Sequence, residues 1–199
     1  MDERKRRFEQ RYLSGNMPWD IGRPDFNLKE ILENYDIPVG RALEIGCGTG
    51  DNAIFLAERG FDVTATEIVE MALDAACQKA GKKGTGCTFL LQDILKKKIS
   101  GAPFDFVFDR GCFHSFDSPV ERRRFAESVA AHLVPGGYWL SLLGNADEDR
   151  QGPGPPQRTA REIVEAVEPL FEIVLLKSGH FDSNMKPPPR NWILLARRR

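Results

Sequence analysis

A glycine-rich turn carries the clearest chemical signal in the sequence. Gly46, Gly48 and Gly50 stand at alternate positions, with Cys47 and Thr49 between them. The turn follows a short apolar run and precedes a helical pattern, so it predicts a strand that leads directly into a helix. Glycines at such a turn let a ligand approach the backbone closely. The alternate spacing differs from the GxGxxG spacing that cradles the pyrophosphate of a dinucleotide.

Three acidic residues accompany this turn. Glu44 precedes the first glycine by two positions, Glu67 ends the second predicted strand, and Asp93 ends the third. Open α/β sheets bind ligands at the carboxyl ends of their strands, so we expect the three to share one site. Glu44 suits a positive amine, Glu67 can accept from two ribose hydroxyls, and Asp93 can accept from an adenine amine beside Ile94. The set predicts a nucleoside that carries an amino acid, although each acid alone also fits a solvated strand end.

Apolar strands alternate with helices around these residues. The predicted strands cover 42–46, 61–67, 87–93, 104–109, 138–143, 171–177 and 191–197. Predicted helices cover 2–13, 51–59 and 69–80, and three more begin at the capping-box patterns of Asn27, Ser118 and Thr159. The alternation predicts a mostly parallel sheet with helices on both faces, and the last two strands, with no helix between them, predict an antiparallel hairpin.

The sequence resembles the class I S-adenosylmethionine-dependent methyltransferases. ALEIGCGTG is similar to their first motif, TATE to their ribose strand end, and LLQD to their adenine-binding segment. The resemblance implies S-adenosylmethionine as cofactor and S-adenosylhomocysteine as product. It also implies a Rossmann-like, doubly wound sheet of seven strands in the order 3-2-1-4-5-7-6, with the last strand antiparallel. Glu67 stands where aspartate is more usual in this family.

We therefore expect one methyltransferase domain over residues 1–199. Its parts are N-terminal helices and a lid over 1–39, a cofactor-binding core over 40–145, and a helix and strand hairpin over 146–199. The predicted cofactor contacts are Trp19, Glu44, Gly46, Cys47, Gly48, Thr49, Gly50, Asn52, Glu67, Ile68, Asp93, Ile94 and Asp109.

Further segments resemble the thiopurine methyltransferase group and its thiol, halide and tellurite-resistance relatives. They are PWDIGRP at 18–24, DRGCFHSF at 109–116, and the Gly-Pro-Pro at 154–156. This resemblance implies a small, soft nucleophile as the methyl acceptor.

Four side chains are candidates for the reaction itself. Trp19 suits a cation–π contact with a sulfonium, or it anchors the N-terminal helix in the core. Arg110 suits an anionic substrate or the cofactor carboxylate, or it forms a surface salt bridge. His114 suits a general base, or it packs as a hydrogen-bonded loop histidine. Asp109 precedes them at the end of the fourth strand, and Phe113, Phe116 and Met17 suit an apolar pocket wall or plain core.

Composition excludes several classes of protein. The chain has 199 residues, a formal net charge of -1 and 41% hydrophobic residues, so a polyanionic partner is not indicated. Its four cysteines lack zinc-ligand spacing, and no metal is expected. We expect a cytoplasmic monomer or weak homodimer without membrane or nucleic-acid partners, and a solvated basic cluster at Arg4–Arg7. The alternatives are an RNA or protein methyltransferase and a non-catalytic nucleoside-binding module.

Overall fold

A central β-sheet organises the computed structural model, which describes residues 3–150, 152 and 154–199. The strands are β1 (Arg41–Ile45), β2 (Asp62–Glu67), β3 (Cys87–Leu91), β4 (Phe104–Arg110), β5 (Leu133–Asn145), β6 (Gln157–Arg158), β7 (Phe171–His180) and β8 (Arg190–Arg198). The helices are α1 (Glu3–Leu13), α2 (Phe26–Asn34), α3 (Asp51–Glu58), α4 (Glu70–Lys83), α5 (Pro119–His132) and α6 (Ala160–Val167).

The strand order is β3-β2-β1-β4-β5-β8-β7, and the short β6 pairs with β5 alone. Strands β1 to β5 are parallel to their neighbours in this part of the sheet, whereas β8 is antiparallel to both β5 and β7. With β6 set aside, the predicted order and the antiparallel last strand are confirmed. The sequence did not predict β6, since two residues are too few to show a period.

Apolar side chains cover both faces of the sheet, as the unbroken apolar runs of the strands predict. One face packs against α5 and α6, through side chains such as Phe125 and Val167. The opposite face packs against α2, α3 and α4, where Leu28 and Leu56 are fully buried. The loops that follow β1, β2 and β4 meet at the carboxyl edge between these two layers, and they form the site described below.

Several boundaries differ from the predictions. Helix α2 begins at Phe26 because the Asp25 side chain accepts from the Asn27 N–H, so Asp25 is its N-cap. The predicted capping boxes of α5 and α6 are confirmed. Helix α1 buries no residue, and Leu13 at its end is 71% exposed. Asp2, where that helix was predicted to begin, lies outside the described residues.

The ends of β1 and β4 approach each other so closely that only glycine fits at the first turn position. Gly46 has φ of +68°, a conformation that L side chains rarely adopt. A Cβ added to Gly46 would overlap the Cys112 Sγ, which itself donates to the Ile45 carbonyl at 3.1 Å. The glycine turn and the segment after β4 therefore fix each other's positions.

We predict that Gly46→Ala lowers the free energy of unfolding by at least about 3 kcal/mol, through backbone strain plus overlap with Cys112. Gly84→Ala is the matched control, because Gly84 has φ of +66° and nothing within 4 Å of an added Cβ. Gly84→Ala should lower the free energy of unfolding by only about 1 kcal/mol. Denaturant unfolding followed by circular dichroism measures both.

Adding Cys112→Ala to Gly46→Ala should recover about 1–2 kcal/mol, because it removes the atom that the new methyl group meets. This description of the turn would be contradicted if the two glycine substitutions lowered the free energy of unfolding equally. It would also be contradicted if the effects of Gly46→Ala and Cys112→Ala on that free energy were strictly additive.

Candidate functional site

A cavity of about 620 Å³ opens at the carboxyl edge of the sheet. The glycine turn and the ends of β2 and β3 form its floor, while α1 and the segment 16–23 form its roof. Residues 154–156 and the loop between β7 and β8 contribute a side wall. Its volume lies within the range of small-molecule and cofactor sites. Every predicted cofactor or catalytic residue except Asp109 lines this cavity.

Glu67 joins the ends of β1 and β2 beneath the cavity. Its carboxylate accepts from the backbone N–H groups of Gly48 at 3.0 Å, Ile68 at 2.6 Å and Val69 at 3.0 Å. Burial raises the pKa of Glu67, and these hydrogen bonds oppose the shift. The Oε2 atom receives one of the three bonds, so it retains a lone pair for a further donor.

Glu44 presents a buried carboxylate to the same cavity. It is 1% exposed, and its Oε1 accepts from the Asn52 Nδ2 at 3.2 Å. Its Oε2 has no hydrogen-bond partner among the described residues. Burial raises the pKa of Glu44 to about 8, because the charged form is desolvated. A positively charged ligand group would satisfy this orphaned oxygen and stabilise its charge.

Asp93 lies at the far end of the floor and is bridged to the roof. Its Oδ2 accepts from Arg4 at 2.7 Å, and its Oδ1 accepts from the Leu95 N–H at 2.9 Å. The Arg4 guanidinium also lies over the Phe116 ring, 4.5 Å from its centroid. The expectation of a solvated cluster at Arg4–Arg7 is therefore wrong for Arg4, whose side chain is 19% exposed.

One face of α1 carries the basic and aromatic residues of the roof. Arg4, Phe8, Arg11 and Tyr12 all line the cavity, and their spacings of three or four residues place them together on a helix. This set was not predicted from sequence, although basic and aromatic residues that recur every three or four positions indicate one face of a helix.

Trp19 continues this roof. Its ring meets those of Phe8 and Tyr12 edge-on, with centroids 5.7 and 6.1 Å away, and its Nε1 donates to the Tyr12 hydroxyl at 3.4 Å. Asp20 accepts from the Thr49 hydroxyl at 3.1 Å, which attaches the segment to the glycine turn. Trp19 thus packs on α1 and lines the cavity, but it is half-buried and not part of the core, and its contact with a sulfonium stays a prediction.

The guanidinium of Arg110 is held on three sides by protein atoms. Its Nε donates to Asp25 at 2.6 Å, its Nη1 to the Trp19 carbonyl at 3.1 Å, and its Nη2 to the Asp182 carbonyl at 2.6 Å. Its side chain is 11% exposed, so it does not form the surface salt bridge that was the alternative prediction.

His114 is buried at the cavity wall with one ring nitrogen occupied. Its Nδ1 accepts from the Gly144 N–H at 2.8 Å, which assigns the proton of the neutral ring to Nε2. Burial and, after it, the charges of Arg158, Arg110 and other arginines together lower the pKa of His114 to about 3. The ring is neutral at ordinary pH and offers the cavity a donor.

The expectation that Asp109 contacts the ligand requires a correction. Asp109 is fully buried and does not line the cavity. Its carboxylate accepts from the Cys112 and Phe113 N–H groups and from the Trp139 Nε1, at 3.1, 3.0 and 2.9 Å. Burial raises its pKa to about 6 against these bonds. Asp109 therefore fixes the conformation of the segment after β4 from inside the core.

The apolar wall of the cavity differs from the one suggested by sequence. Phe113 and Phe116 belong to the core between the sheet and α5, and Met17 does not line the cavity. Phe181, Met185 and Pro189 line it instead. These residues come from the loop between β7 and β8, which no local sequence pattern connects to the glycine turn.

Within the part of the chain that the structure describes, no group of three or more His, Cys, Asp or Glu residues could hold a metal ion. No helix in the same ranges has the length and apolar character needed to cross a bilayer.

Residues 42–137 match a protein family described as a methyltransferase domain. Probable thiol methyltransferase 2 of Arabidopsis thaliana is 29% identical over 170 residues, which cover 84% of this chain and 74% of that protein. Thiocyanate methyltransferase 1 of Brassica oleracea is 30% identical over 162 residues, covering 80% and 70% respectively. The 2-heptyl-1-hydroxyquinolin-4(1H)-one methyltransferase of Mycobacteroides abscessus is 30% identical over 158 residues, covering 76% and 68%.

Solved structures share the same fold. One, from work on the conversion of a disulfide bond into a thioacetal group during echinomycin biosynthesis, superposes with a TM-score of 0.78. It is 24% identical, and the match covers 91% of this chain and 84% of that one. Together with the cavity floor of Glu44, Glu67 and Asp93, these similarities show that the chain belongs to the class I S-adenosylmethionine-dependent methyltransferases, in the group that includes the thiol methyltransferases.

Proposed function

We propose that this enzyme methylates a small, soft nucleophile, such as a thiol, a selenium compound, a halide or a metalloid anion. The observation that carries the proposal is one cavity lined both by the acidic residues of the strand ends and by a neutral histidine near arginines. The names of the thiol and thiocyanate methyltransferases among its relatives support the same class of acceptor.

The floor of the cavity fits the cofactor. In this proposal Glu67 holds the ribose, Asp93 and Ile94 hold the adenine, and Glu44 pairs with the α-amine. The orphaned Glu44 Oε2 and the close approach that the Gly46 and Gly50 turn allows both suit such a ligand. Cys47, Gly48, Thr49, Asn52 and Ile68 complete the surrounding wall. When bound, S-adenosylmethionine supplies a methyl group on a sulfonium.

The other end of the cavity suits an acceptor that is already an anion or readily becomes one. His114 offers its Nε2–H as a donor, because the Nδ1 lone pair is taken by the Gly144 N–H. Arg7 and Arg11 add positive charge from the roof. We propose that His114 orients the acceptor and does not remove its proton. Holding donor and acceptor in line can supply roughly 7–11 kcal/mol of the barrier reduction.

A hydroxyl acceptor on an aromatic ring is the second candidate, because the quinolone methyltransferase relative is 30% identical. RNA or protein acceptors are disfavoured, since α1 covers the cavity and narrows access to it. We further propose the division into a lid over 1–39, a core over 40–145 and a hairpin over 146–199. A cytoplasmic location, metal independence, absence of nucleic-acid binding and a monomer or weak homodimer stay predictions.

The raised pKa of Glu44 predicts that cofactor binding releases a proton. The free enzyme has this pKa at about 8, and a bound ammonium would lower it, so affinity should rise with pH between 6 and 7.5. The rise should approach tenfold per pH unit below about pH 7 and level off above pH 8, where Glu44 of the free enzyme is itself ionised. Calorimetry with S-adenosylhomocysteine in buffers of different ionisation enthalpy measures both effects.

Glu44→Gln is the matched variant and should give weaker binding without the pH slope. A variant that retains the wild-type slope would show that another group releases the proton, and would place the amine away from Glu44.

The lowered pKa of His114 predicts that its own titration does not affect the rate at ordinary pH. With thiocyanate, which stays anionic, and saturating cofactor, the change of kcat/KM between pH 5 and 7 should be the same in wild type and in His114→Asn, because His114 stays neutral there and Asp109, with a pKa of about 6, titrates in both. His114→Asn can keep the acceptor for the Gly144 N–H but loses the Nε2 donor, and it should lower kcat/KM about 10–100-fold. A wild-type profile that rises with a pKa near 6.5 and becomes flat in His114→Asn would instead identify a base.

The class of acceptor is tested by methyl transfer from labelled cofactor. The panel contains thiols, thiocyanate, iodide, tellurite, an N-hydroxyquinolone and bulk RNA. We expect turnover of at least one sulfur, halide or metalloid acceptor, with kcat/KM at least about tenfold above the quinolone and with no label in RNA. Preference for the quinolone, or labelling of RNA alone, would refute the proposed acceptor class.

A further inference from the structure

A continuous run of hydrogen bonds connects the floor of the cavity to its roof and to its side wall. Glu44 accepts from the Asn52 side chain, and the Asn52 Oδ1 accepts from the Asp25 N–H at 2.9 Å. The Asp25 carboxylate then accepts from Arg110, which donates to the carbonyls of Trp19 and Asp182. Trp19 belongs to the roof, and Asp182 to the loop between β7 and β8.

Asp25 is the junction of this network. It is 0% exposed, and its Oδ2 receives the Arg110 Nε at 2.6 Å. Its Oδ1 accepts from the backbone and side-chain nitrogens of Asn27, at 2.9 and 2.8 Å, which caps α2. The Asn27 side chain also donates to the His180 carbonyl at 3.0 Å. One buried carboxylate thus fixes a helix start and an arginine, and it reaches the end of β7 through Asn27.

The ion pair determines where two backbone carbonyls lie. The guanidinium is a planar fork, so once its Nε is fixed on Asp25 the directions of Nη1 and Nη2 are fixed as well. Those two nitrogens hold Trp19 on one side and Asp182 on the other, and Phe181 packs against the guanidinium with its ring centroid 5.2 Å from Cζ. Arg23 of the roof also pairs with Asp182 and donates to Asn184 at 2.9 Å.

We propose that Asp25 is a positioning residue for methyl transfer, which acts through Arg110 to hold the acceptor end of the cavity closed. Asp25 does not line the cavity, so it contacts neither ligand. The inference rests on the proposed function, because it assigns the roof and the loop after β7 to the acceptor. It also changes the expected role of Arg110, from binding an anion to holding the two walls.

Asp25→Asn separates this role from helix capping. Asparagine caps helices as well as aspartate does, so the amide oxygen can still receive the Asn27 N–H. The backbone bond from position 25 to Asn52 does not involve the side chain, so the floor around Glu44 is retained. The variant loses the charge opposite Arg110, and a buried arginine without its partner is strongly disfavoured in place.

The test compares hydrogen–deuterium exchange and kinetics of the full-length protein. In Asp25→Asn, we expect amides in 16–23 and 181–184 to exchange at least about tenfold faster without any ligand. The acceptor KM should rise about 10–100-fold, while the affinity for S-adenosylhomocysteine changes less than about threefold. Unchanged exchange in both segments, or a loss confined to cofactor affinity, would overturn the proposal.

Glu162→Gln is the matched control. It removes the ion pair of Arg122 and Glu162, which spans 2.9 Å between α5 and α6, while glutamine can keep the capping box. It should lower stability without faster exchange in 16–23 or a changed KM. If both variants accelerate exchange in those segments equally, the effect is general loss of stability and the positioning role is refuted.

A double-mutant cycle tests the route through Arg110. Asp25→Asn should have little further effect on exchange in the Arg110→Gln background, whereas additive effects would contradict the proposal. If Asp25→Asn does not fold, Arg110→Lys replaces it in the test. A lysine ammonium beside Asp25 cannot donate to the Trp19 and Asp182 carbonyls in the way that the planar guanidinium does, so exchange should become faster in at least one of the two segments. Exchange needs no acceptor, so failure of the acceptor panel leaves this test intact.

Discussion

The site depends on the buried carboxylate of Glu67, which holds the ends of two parallel strands together through hydrogen bonds. Glu67 receives three backbone N–H groups, one from the glycine turn after β1 and two from the chain after β2. Without it, those donors would be buried near apolar side chains with no acceptor, at a cost of about 1–3 kcal/mol each. The conformation of the glycine turn and the shape of the cavity floor both depend on this contact.

Acidic residues line the floor of the cavity, and basic residues line its roof. Glu44, Glu67 and Asp93 belong to strand ends in the rigid sheet, whereas Arg4, Arg11 and neighbouring basic residues belong to α1. Because α1 buries no residue of its own, polar and aromatic contacts such as those of Arg4 with Asp93 hold it in place. Elements held in this way open at low free energy, which suits a roof that must admit a ligand.

Local sequence was sufficient for the sheet and for the floor of the cavity. Strand and helix periods, capping boxes and the alternate glycines are encoded within a few residues, and the order of β1 to β5, β7 and β8 followed from the family resemblance. Glu44, Glu67 and Asp93 were predictable because parallel strands place their carboxyl ends at one edge.

The cavity wall around Arg110 was less predictable, because its contacts join distant parts of the chain. Asp25 and Arg110 are 85 positions apart, and no local period connects them. The same is true of the loop between β7 and β8. Asp109 was misplaced for a related reason, since the sequence gives its position at a strand end but not the face to which its side chain turns.

A crystal structure with S-adenosylhomocysteine tests the central claim, that the acidic floor binds the cofactor. We predict the ribose hydroxyls within hydrogen-bond distance of Glu67, the adenine amine near Asp93, and the α-amine within hydrogen-bond distance of the Glu44 Oε2. Clear density for the ligand elsewhere, or a ribose that does not contact Glu67, would contradict the account.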